Sequence, residues 1–233
     1  MSFTTDLTKE VEDIFKATWK TRDGQVVPEP EDIQLGNHAV ELEGTVLYAD
    51  LAESTNLVNT MKPAFAAEVY KTYLLCASRL ITKNGGTITS FDGDRVMGVF
   101  IGGSKNTQAA RCALQINYAV LKIINPKLKA QYPSSTYEVK QAVGVDSSKL
   151  FVARTGIRGS NDLVWVGRAA NYAAKLCSLR EGNYASFITD EVFKKMNDEA
   201  KYGGESSQMM WEKRYWKDLD LNLYRSSWHW SPD

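Results

Sequence analysis

Histidine is nearly absent from this sequence: among 233 residues there are only His38 and His229. This scarcity excludes a histidine-based metal site and most histidine-based acid–base catalysis. The three cysteines lie far apart, which matches no zinc-binding spacing and favours reduced thiols in a cytoplasmic protein. The 28 basic residues only balance the 28 acidic ones, so no positive excess indicates nucleic acid or an anionic membrane surface as a partner.

Long hydrophobic runs are also missing, and none approaches the roughly 18 residues that a membrane-spanning helix needs. The N-terminal stretch MSFTTDLTKEVED is acidic and lacks the apolar core of a signal peptide. We therefore expect a cytoplasmic protein without direct membrane insertion. Apolar residues still make up 43% of the chain, which is enough for a hydrophobic core.

The pattern of apolar residues and turn signals predicts an α+β fold. Helices are predicted over residues 6–20, 62–83, 107–124 (ending before Pro126) and 167–179. Strands are predicted over residues 45–51, 87–91, 95–101, 137–146, 149–155 and 185–189, followed by paired strands in the aromatic C-terminal part. This order is the ferredoxin-like βαββαβ plan with an extra αβ unit and a C-terminal strand pair. We expect a helix-and-loop extension over residues 1–43 and one folded domain over residues 44–233.

The first candidate site lies where the predicted strand 45–51 ends. Asp50 is followed by a turn into a helix, formed by Leu51, Ala52, Glu53, Ser54 and Thr55. A carboxylate at a strand end suits a hard cation, and the amide groups of the turn and helix start suit phosphate oxygens. The alternative is structural: Asp50 terminates the strand, and Ser54 or Thr55 caps the helix.

A second acid, Asp94, follows Asp92-Gly93, a pair typical of hairpin turns. A hairpin can bring its tip beside the end of a neighbouring strand, so Asp50 and Asp94 could share two Mg²⁺ or Mn²⁺ ions. Two such ions roughly 3.5–4 Å apart bind the attacking and the leaving oxygen of an in-line phosphoryl displacement. Asp92 competes for this role, and a simple turn without function is the alternative.

A third segment, WVGRAANYAAK, opens a predicted helix at Gly167. Asn171 and Lys175 are four residues apart and share one helix face. An amide and a cation on that face suit a ribose oxygen and the negative charge that develops on phosphorus. The alternative is an ordinary solvated helix face.

In this order and at this spacing, the three segments resemble class III adenylate/guanylate cyclases. TVLYADLAEST resembles the first strand and phosphate loop of that family, Gly93-Asp94 resembles its hairpin acid, and residues 167–175 resemble its Gly-x-x-x-Asn-x-x-x-Arg helix start. The resemblance covers about residues 44–190 and identifies the domain 44–233 as a nucleotidyl cyclase catalytic domain. A diguanylate cyclase has a related fold, but its GGDEF motif is absent.

The resemblance implies that Asp50, Leu51 and Asp94 bind two divalent cations per site, either Mg²⁺ or Mn²⁺. It also implies that the backbone of residues 51–55 and the Thr55 hydroxyl contact the triphosphate. In this family the site forms at a head-to-tail homodimer interface. The cation ligands and the helix residues of one site would therefore come from different subunits.

The helix residues carry one departure from the family. Asn171 would orient the ribose, as the resemblance implies. Lys175 stands where the family usually has an arginine that stabilises the transition state, and lysine offers a point charge without a planar fork. The role therefore stays with Lys175 in a different geometry or passes to Arg168.

The residues that select the base differ from both purine patterns of the family. At the position of Ser90, adenylate cyclases of the family usually have lysine and guanylate cyclases usually have glutamate. At the position of their second base-reading residue, this chain has Val164. Tyr48 lies two residues before Asp50, so both side chains point to one face of the strand. A tyrosine where the family commonly has phenylalanine favours a smaller pyrimidine. The alternative is a tyrosine of the core.

The segment DGQVVPEPEDIQLGNHAVELEGTVLYADLAEST resembles that of the bacterial pyrimidine cyclases of the Pycsar anti-phage system. This implies UTP as the first candidate substrate, CTP as the second, and a separate effector that responds to the cyclic product. Two other interpretations stay open: a purine cyclase with unusual base-holding residues, and a degenerate cyclase fold that senses nucleotides or mediates dimerisation. The presence of both Asp50 and Asp94 argues against degeneracy.

Overall fold

The computed structural model describes residues 2–233, so Met1 of the predicted extension lies outside the described residues. The helices are α1 (Phe3–Lys16), α2 (Ser54–Thr60), α3 (Pro63–Lys83), α4 (Lys105–Tyr118), α5 (Asn125–Gln131), α6 (Arg168–Leu176) and α7 (Asp190–Lys195). The strands are β1 (Lys20–Asp23), β2 (His38–Leu51), β3 (Thr87–Asp92), β4 (Arg95–Phe100), β5 (Gln141–Ile157), β6 (Ser160–Val166), β7 (Ser186–Thr189), β8 (Tyr202–Gly203), β9 (Gln208–Met209), β10 (Glu212–Trp216) and β11 (Leu221–Ser226). Within this described part of the chain, no helix combines the length and apolar character needed to cross a membrane.

The main sheet has the strand order β10-β11-β7-β5-β2-β4-β3. Its part β5-β2-β4-β3 is the strand order of the ferredoxin-like plan, in which α3 connects β2 to β3 and α4 lies between β4 and β5. β7 adds to β5 in parallel, and β10 and β11 form an antiparallel pair at one edge. The predicted α+β fold with its additional αβ unit and C-terminal strand pair is therefore confirmed.

The chain divides into two compact units. One comprises the region up to Glu43 together with Lys149–Gly167, and the other comprises Gly44–Ser148 and Arg168–Asp233. In the first unit, β1 pairs in parallel with the start of β2, and β6 pairs with the end of β5. The rings of Trp19 and Phe151 meet edge to face at 5.0 Å, while every residue of α1 is exposed.

The core of the second unit lies between the sheet and helices α3 and α4. One face of α3 is buried through Val69, Tyr73, Ala77 and Ile81, at intervals of four residues. This helix approaches β4 closely because Gly98 has no side chain, and a Cβ there would lie 2.7 Å from Ile81 Cγ2. The packing fixes α3 against the strands that carry the predicted site.

Two predicted chain breaks are wrong. The strands predicted over residues 137–146 and 149–155 form the single strand β5, because Ser147 is buried and its hydroxyl donates to Gly44 O at 3.3 Å. The pattern also does not reveal β6. The helix predicted to end before Pro126 instead continues through a π-helical segment, Ala119–Ile124, into α5. Pro126 lies in the first turn of α5, where its lack of a backbone N–H is tolerated.

Candidate active site

The two predicted cation ligands lie at the end of β2 and in the β3–β4 turn. Asp50 is opposite Arg95 in the β2–β4 pairing, and Asp94 is the residue before Arg95. Gly93 takes a positive φ of 61°, which this tight turn requires. Burial raises the pKa of Asp50, a hydrogen bond from Arg180 lowers it, and the charge of Asp94 raises it again. The fold therefore brings the two carboxylates within electrostatic reach of each other.

Asp92 and Asp94 have different surroundings. The Asp92 side chain is 74% exposed and bound to Arg95 at 2.6 Å. Asp94 Oδ2 is buried and has no hydrogen-bond partner among residues 2–233. Burying a carboxylate oxygen without a partner is costly, and a bound cation removes that cost. The geometry thus favours Asp94 over Asp92 as a ligand.

The donor set fits hard divalent cations. Asp50 and Asp94 supply carboxylate oxygens of like charge in one place. The described residues contain no group of three His, Cys, Asp or Glu side chains that could hold a metal ion. Cations held here would therefore complete their coordination with backbone oxygen, such as that of the buried Leu51, with substrate oxygens or with water.

The turn after β2 is not a capped helix start. The Ala52 N–H already donates to Lys140 O at 2.8 Å. Glu53 has a left-handed backbone with φ of 61° and precedes α2, which no side chain caps. Ser54 and Thr55 make no side-chain hydrogen bond within the described part of the chain. The capping alternative is therefore not observed.

Tyr48 and Ser90 lie in one row across the sheet, on either side of β4. Tyr48 alternates with the fully buried Leu47 and Ala49, so it points away from the core and is half-buried. Burial raises the pKa of Tyr48, whereas the Arg95 guanidinium 5.1 Å from its ring and a hydrogen bond with Ser90 lower it. Tyr48 thus lies on the same face of β2 as Asp50 and not in the core, and its contact with the base stays a prediction.

The second predicted base-reading residue, Val164, belongs to the other compact unit. It lies on β6 opposite Ala153, and 40% of its surface is exposed. Its predicted contact with the base stays a prediction.

Two predicted residues stand on the exposed face of α6. Asn171 and Lys175 are one turn apart, and neither side chain makes a hydrogen bond or ion pair with any residue from 2 to 233. The buried face of α6 lies directly on β5 because Gly144 leaves room, since a Cβ there would lie 2.2 Å from Ala173 O. The fold therefore holds this helix rigidly and leaves the two polar groups available.

Arg168, by contrast, is engaged at the start of α6. Its guanidinium donates to both oxygens of Asp146 at 3.0 and 3.2 Å, and to Ser147 O at 2.7 Å. The Asp146 side chain is fully buried and also accepts from Thr189 Oγ1 at 2.5 Å. Arg168 therefore anchors α6 to β5, and Lys175 is the cation of this helix without a partner among the described residues.

Three residues that no sequence motif predicted lie near Asp50 in the structure. Arg180 Nη2 donates to Asp50 Oδ2 at 3.0 Å. Burial, followed by the charge of Asp50, raises the pKa of the Cys177 thiol to about 12. The same two causes raise the pKa of Tyr73, whose buried hydroxyl has no partner within residues 2–233. None of the three belongs to a matched motif, so only the folded structure reveals them.

No protein-family model matches the chain. Curated relatives match it from end to end. It is 49% identical over 235 residues to the uridylate cyclase of Xanthomonas perforans, with 100% of both chains covered. It is 48% identical over 233 residues to the uridylate cyclase of Burkholderia cepacia, with 99% of this chain and 100% of the relative covered.

Solved structures show the same fold. The guanylyl cyclase Cya2 superimposes with a TM-score of 0.67 at 18% identity, covering 82% of this chain and 95% of its own. The non-canonical dimeric guanylyl cyclase domain of the RhoGC fusion protein from Blastocladiella emersonii superimposes with a TM-score of 0.61 at 13% identity, covering 80% of this chain and 97% of its own. The guanylate cyclase domain of RhGC from Catenaria anguillulae, in complex with GTP, has a TM-score of 0.63 at 14% identity, covering 82% of this chain and 99% of its own. Such low identities show the fold alone, whereas near 50% over the full length shows the family. The chain belongs to the uridylate cyclase family, with the fold of class III cyclases.

Proposed function

We propose that this protein cyclises UTP to 3′,5′-cyclic UMP and releases pyrophosphate. The observation that carries the proposal is the acid pair in a chain of this family. Asp50 at the end of β2 and Asp94 in the β3–β4 turn lie within electrostatic reach of each other, and a buried Asp94 oxygen lacks any partner among residues 2–233. A fold that only mediates dimerisation would have no need to keep this costly arrangement.

In the proposed reaction, the ribose 3′ hydroxyl gives its proton to water, and its oxygen attacks the α-phosphorus. The bond from that phosphorus to the oxygen bridging it to the β-phosphate breaks, and pyrophosphate leaves. Two divalent cations, Mg²⁺ or Mn²⁺, held by Asp50, Leu51 and Asp94 would favour the 3′ alkoxide and neutralise the leaving group. The protein positions the Asp50 carboxylate on β2 and the Asp94 carboxylate in the β3–β4 turn.

The turn at residues 51–55 supports a triphosphate role. The Thr55 hydroxyl is exposed and has no partner among the described residues. The Ala52 N–H donates to the backbone oxygen of Lys140, so we expect the amides after Ala52 to provide the backbone contacts to phosphate.

Asn171 and Lys175 orient the ribose and stabilise charge on the α-phosphate in this proposal. Lys175 takes the latter role because Arg168 is held by the buried Asp146. Neither group has a partner among residues 2–233 of its own subunit, as expected when each site takes its acids from one subunit and its helix residues from the other. The protein would thus act as a homodimer with two composite sites.

Tyr48 and Ser90 support a pyrimidine. An aromatic wall on the Asp50 face penalises a two-ring base, and an uncharged Ser90 cannot replace the charged base readers of purine cyclases. A hydroxyl can donate to the uracil carbonyl or accept from the cytosine amino group. CTP is therefore the second candidate substrate, and Val164 is a further proposed contact.

Three further parts complete the proposal: the first follows from the resemblance to anti-phage pyrimidine cyclases, and the other two follow from the composition of the sequence. The product would act as a second messenger on a separate cyclic-nucleotide-responsive effector. The enzyme would work in the cytoplasm. Neither nucleic acid nor membrane insertion would take part.

The test is to incubate the pure protein with each of the four nucleoside triphosphates and Mn²⁺ and to identify the products by mass spectrometry. We expect cyclic UMP as the main product. Cyclic AMP or cyclic GMP as the main product would contradict the base assignment. No cyclic product from any triphosphate would contradict the enzyme and favour a nucleotide sensor.

A further inference from the structure

The ion pair between Arg180 and Asp50 involves the carboxylate that the proposed reaction needs as a cation ligand. Arg180 Nη2 lies 3.0 Å from Asp50 Oδ2. The other end of the fork, Nη1, donates to Cys177 O at 2.8 Å and to Leu179 O at 2.9 Å. The guanidinium is therefore attached both to the proposed ligand and to the segment that follows α6.

A divalent cation and this guanidinium cannot both keep their best positions. A cation bound to Asp50 would lie about 2.0–2.6 Å from a carboxylate oxygen, and the Arg180 guanidinium already lies 3.0 Å from Oδ2 of the same carboxylate. Two like charges in such proximity repel each other. Arg180 can move because its side chain is long and 39% exposed. The Asp50 side chain is only 18% exposed, and its backbone is held in β2.

Arg180 differs in this respect from the other arginines near the proposed site. Arg95 is paired with Asp92, and Arg168 is paired with Asp146. Neither of those carboxylates is a proposed cation ligand. Of these three ion pairs among residues 2–233, cation binding would break that of Arg180, which would release a planar guanidinium beside the reaction centre.

We propose that Arg180 has two positions: it neutralises Asp50 in the metal-free protein, and the incoming cation displaces it onto the triphosphate of the nucleotide. The triphosphate is the anion that arrives with the cation, and a guanidinium fork binds phosphate oxygens in a bidentate manner. The site would thereby regain the planar fork that Lys175 does not provide. This inference rests on the proposed two-cation reaction.

The test compares Arg180→Gln with a matched control, Arg214→Gln. Arg214 also makes an exposed ion pair, at 2.7 Å to Glu181, and its side chain is 36% exposed. Both substitutions remove one positive charge and one ion pair, and only the first touches Asp50. Circular dichroism and gel filtration establish that each variant folds, and Arg180→Lys serves as a conservative second variant.

The first measurement is Mn²⁺ binding to the nucleotide-free protein, followed by electron paramagnetic resonance. We expect Arg180→Gln to bind Mn²⁺ about fivefold more tightly than wild type because it has no competing ion pair. Arg214→Gln should bind Mn²⁺ like wild type, and Arg180→Lys should fall between. Unchanged or weaker Mn²⁺ binding by Arg180→Gln would overturn the displacement.

The second measurement is calorimetric binding of inorganic pyrophosphate at saturating Mn²⁺. Loss of the charge-assisted contact should weaken pyrophosphate binding about tenfold in Arg180→Gln and leave Arg214→Gln unchanged. Unchanged pyrophosphate affinity in Arg180→Gln would overturn the second position of Arg180. Neither measurement needs turnover or a particular base, so a failure of the proposed UTP cyclisation is recognised separately, by the absence of cyclic UMP.

Discussion

Burial raises the pKa of Asp50, a hydrogen bond from Arg180 lowers it, and the charge of nearby Asp94 raises it again. The two carboxylates come from a strand end and a hairpin turn that are 44 positions apart in the sequence. Their repulsion is the cost of holding both in place for cations. The chemistry that we propose depends on this pair.

The hairpin allows a direct test with neighbouring acids. We expect Asp94→Asn to lower turnover by about a thousandfold or more, because charge neutralisation at the attacking and leaving oxygens is lost. Asp92→Asn should keep turnover near the wild-type level, because Asp92 is exposed and bound to Arg95. Initial rates of cyclic nucleotide formation measure both variants. Activity in the Asp94 variant combined with loss in the Asp92 variant would reverse the assignment.

The two cations of α6 should behave in opposite ways. Lys175→Ala should lower kcat without changing stability, because Lys175 is exposed and has no partner among residues 2–233. Arg168→Ala should lower the free energy of unfolding by about 1–3 kcal/mol, because it leaves the buried Asp146 short of hydrogen bonds. Urea unfolding and kinetics separate the effects. A stable but inactive Arg168→Ala protein would indicate that Arg168 is the catalytic cation.

Subunit mixing tests the composite site. Asp50→Ala and Asn171→Ala proteins should each be inactive, whereas a mixture that exchanges subunits should recover activity. Random exchange makes half of the dimers mixed, and each mixed dimer keeps one of two sites, so about a quarter of the wild-type activity is expected. A mixture that exchanges subunits and yet stays inactive would rule out sharing of residues between subunits.

Much of the site follows from sequence because its residues lie next to strong local signals. Asp94 comes after Asp-Gly in a hairpin, and Asn171 and Lys175 lie four apart on a helix. Arg180 could not be predicted in this way. It stands 130 positions from Asp50, and its contact depends on how α6 and the segment after it pack against the sheet.

The break predicted between residues 146 and 149 of β5 is wrong because this part of the strand, too, depends on contacts between residues distant in sequence. Asp146 and Ser147 form a polar interruption in an apolar strand, which is typical of a turn. In the structure both are buried and bonded, Asp146 to Arg168 and Ser147 to Gly44 O. Partners distant in sequence satisfy these groups, so the strand continues.

Tyr48 should control the choice of base. Tyr48→Phe keeps the ring but loses the hydroxyl that bonds with Ser90, so it should lower activity with UTP while purines stay excluded. Tyr48→Ala removes the wall and should lose pyrimidine activity while admitting ATP or GTP. The rates of these variants with each triphosphate measure the effect. An unaltered base preference in Tyr48→Ala would show that another residue provides the wall.

The preference of this protein for UTP is tested by kcat/KM for UTP, CTP, ATP and GTP, measured with the wild-type protein under one Mn²⁺ concentration. We expect UTP to have the highest value, CTP to follow, and both purines to lie about a hundredfold or more below UTP. A kcat/KM for ATP or GTP equal to or above that for UTP would contradict it.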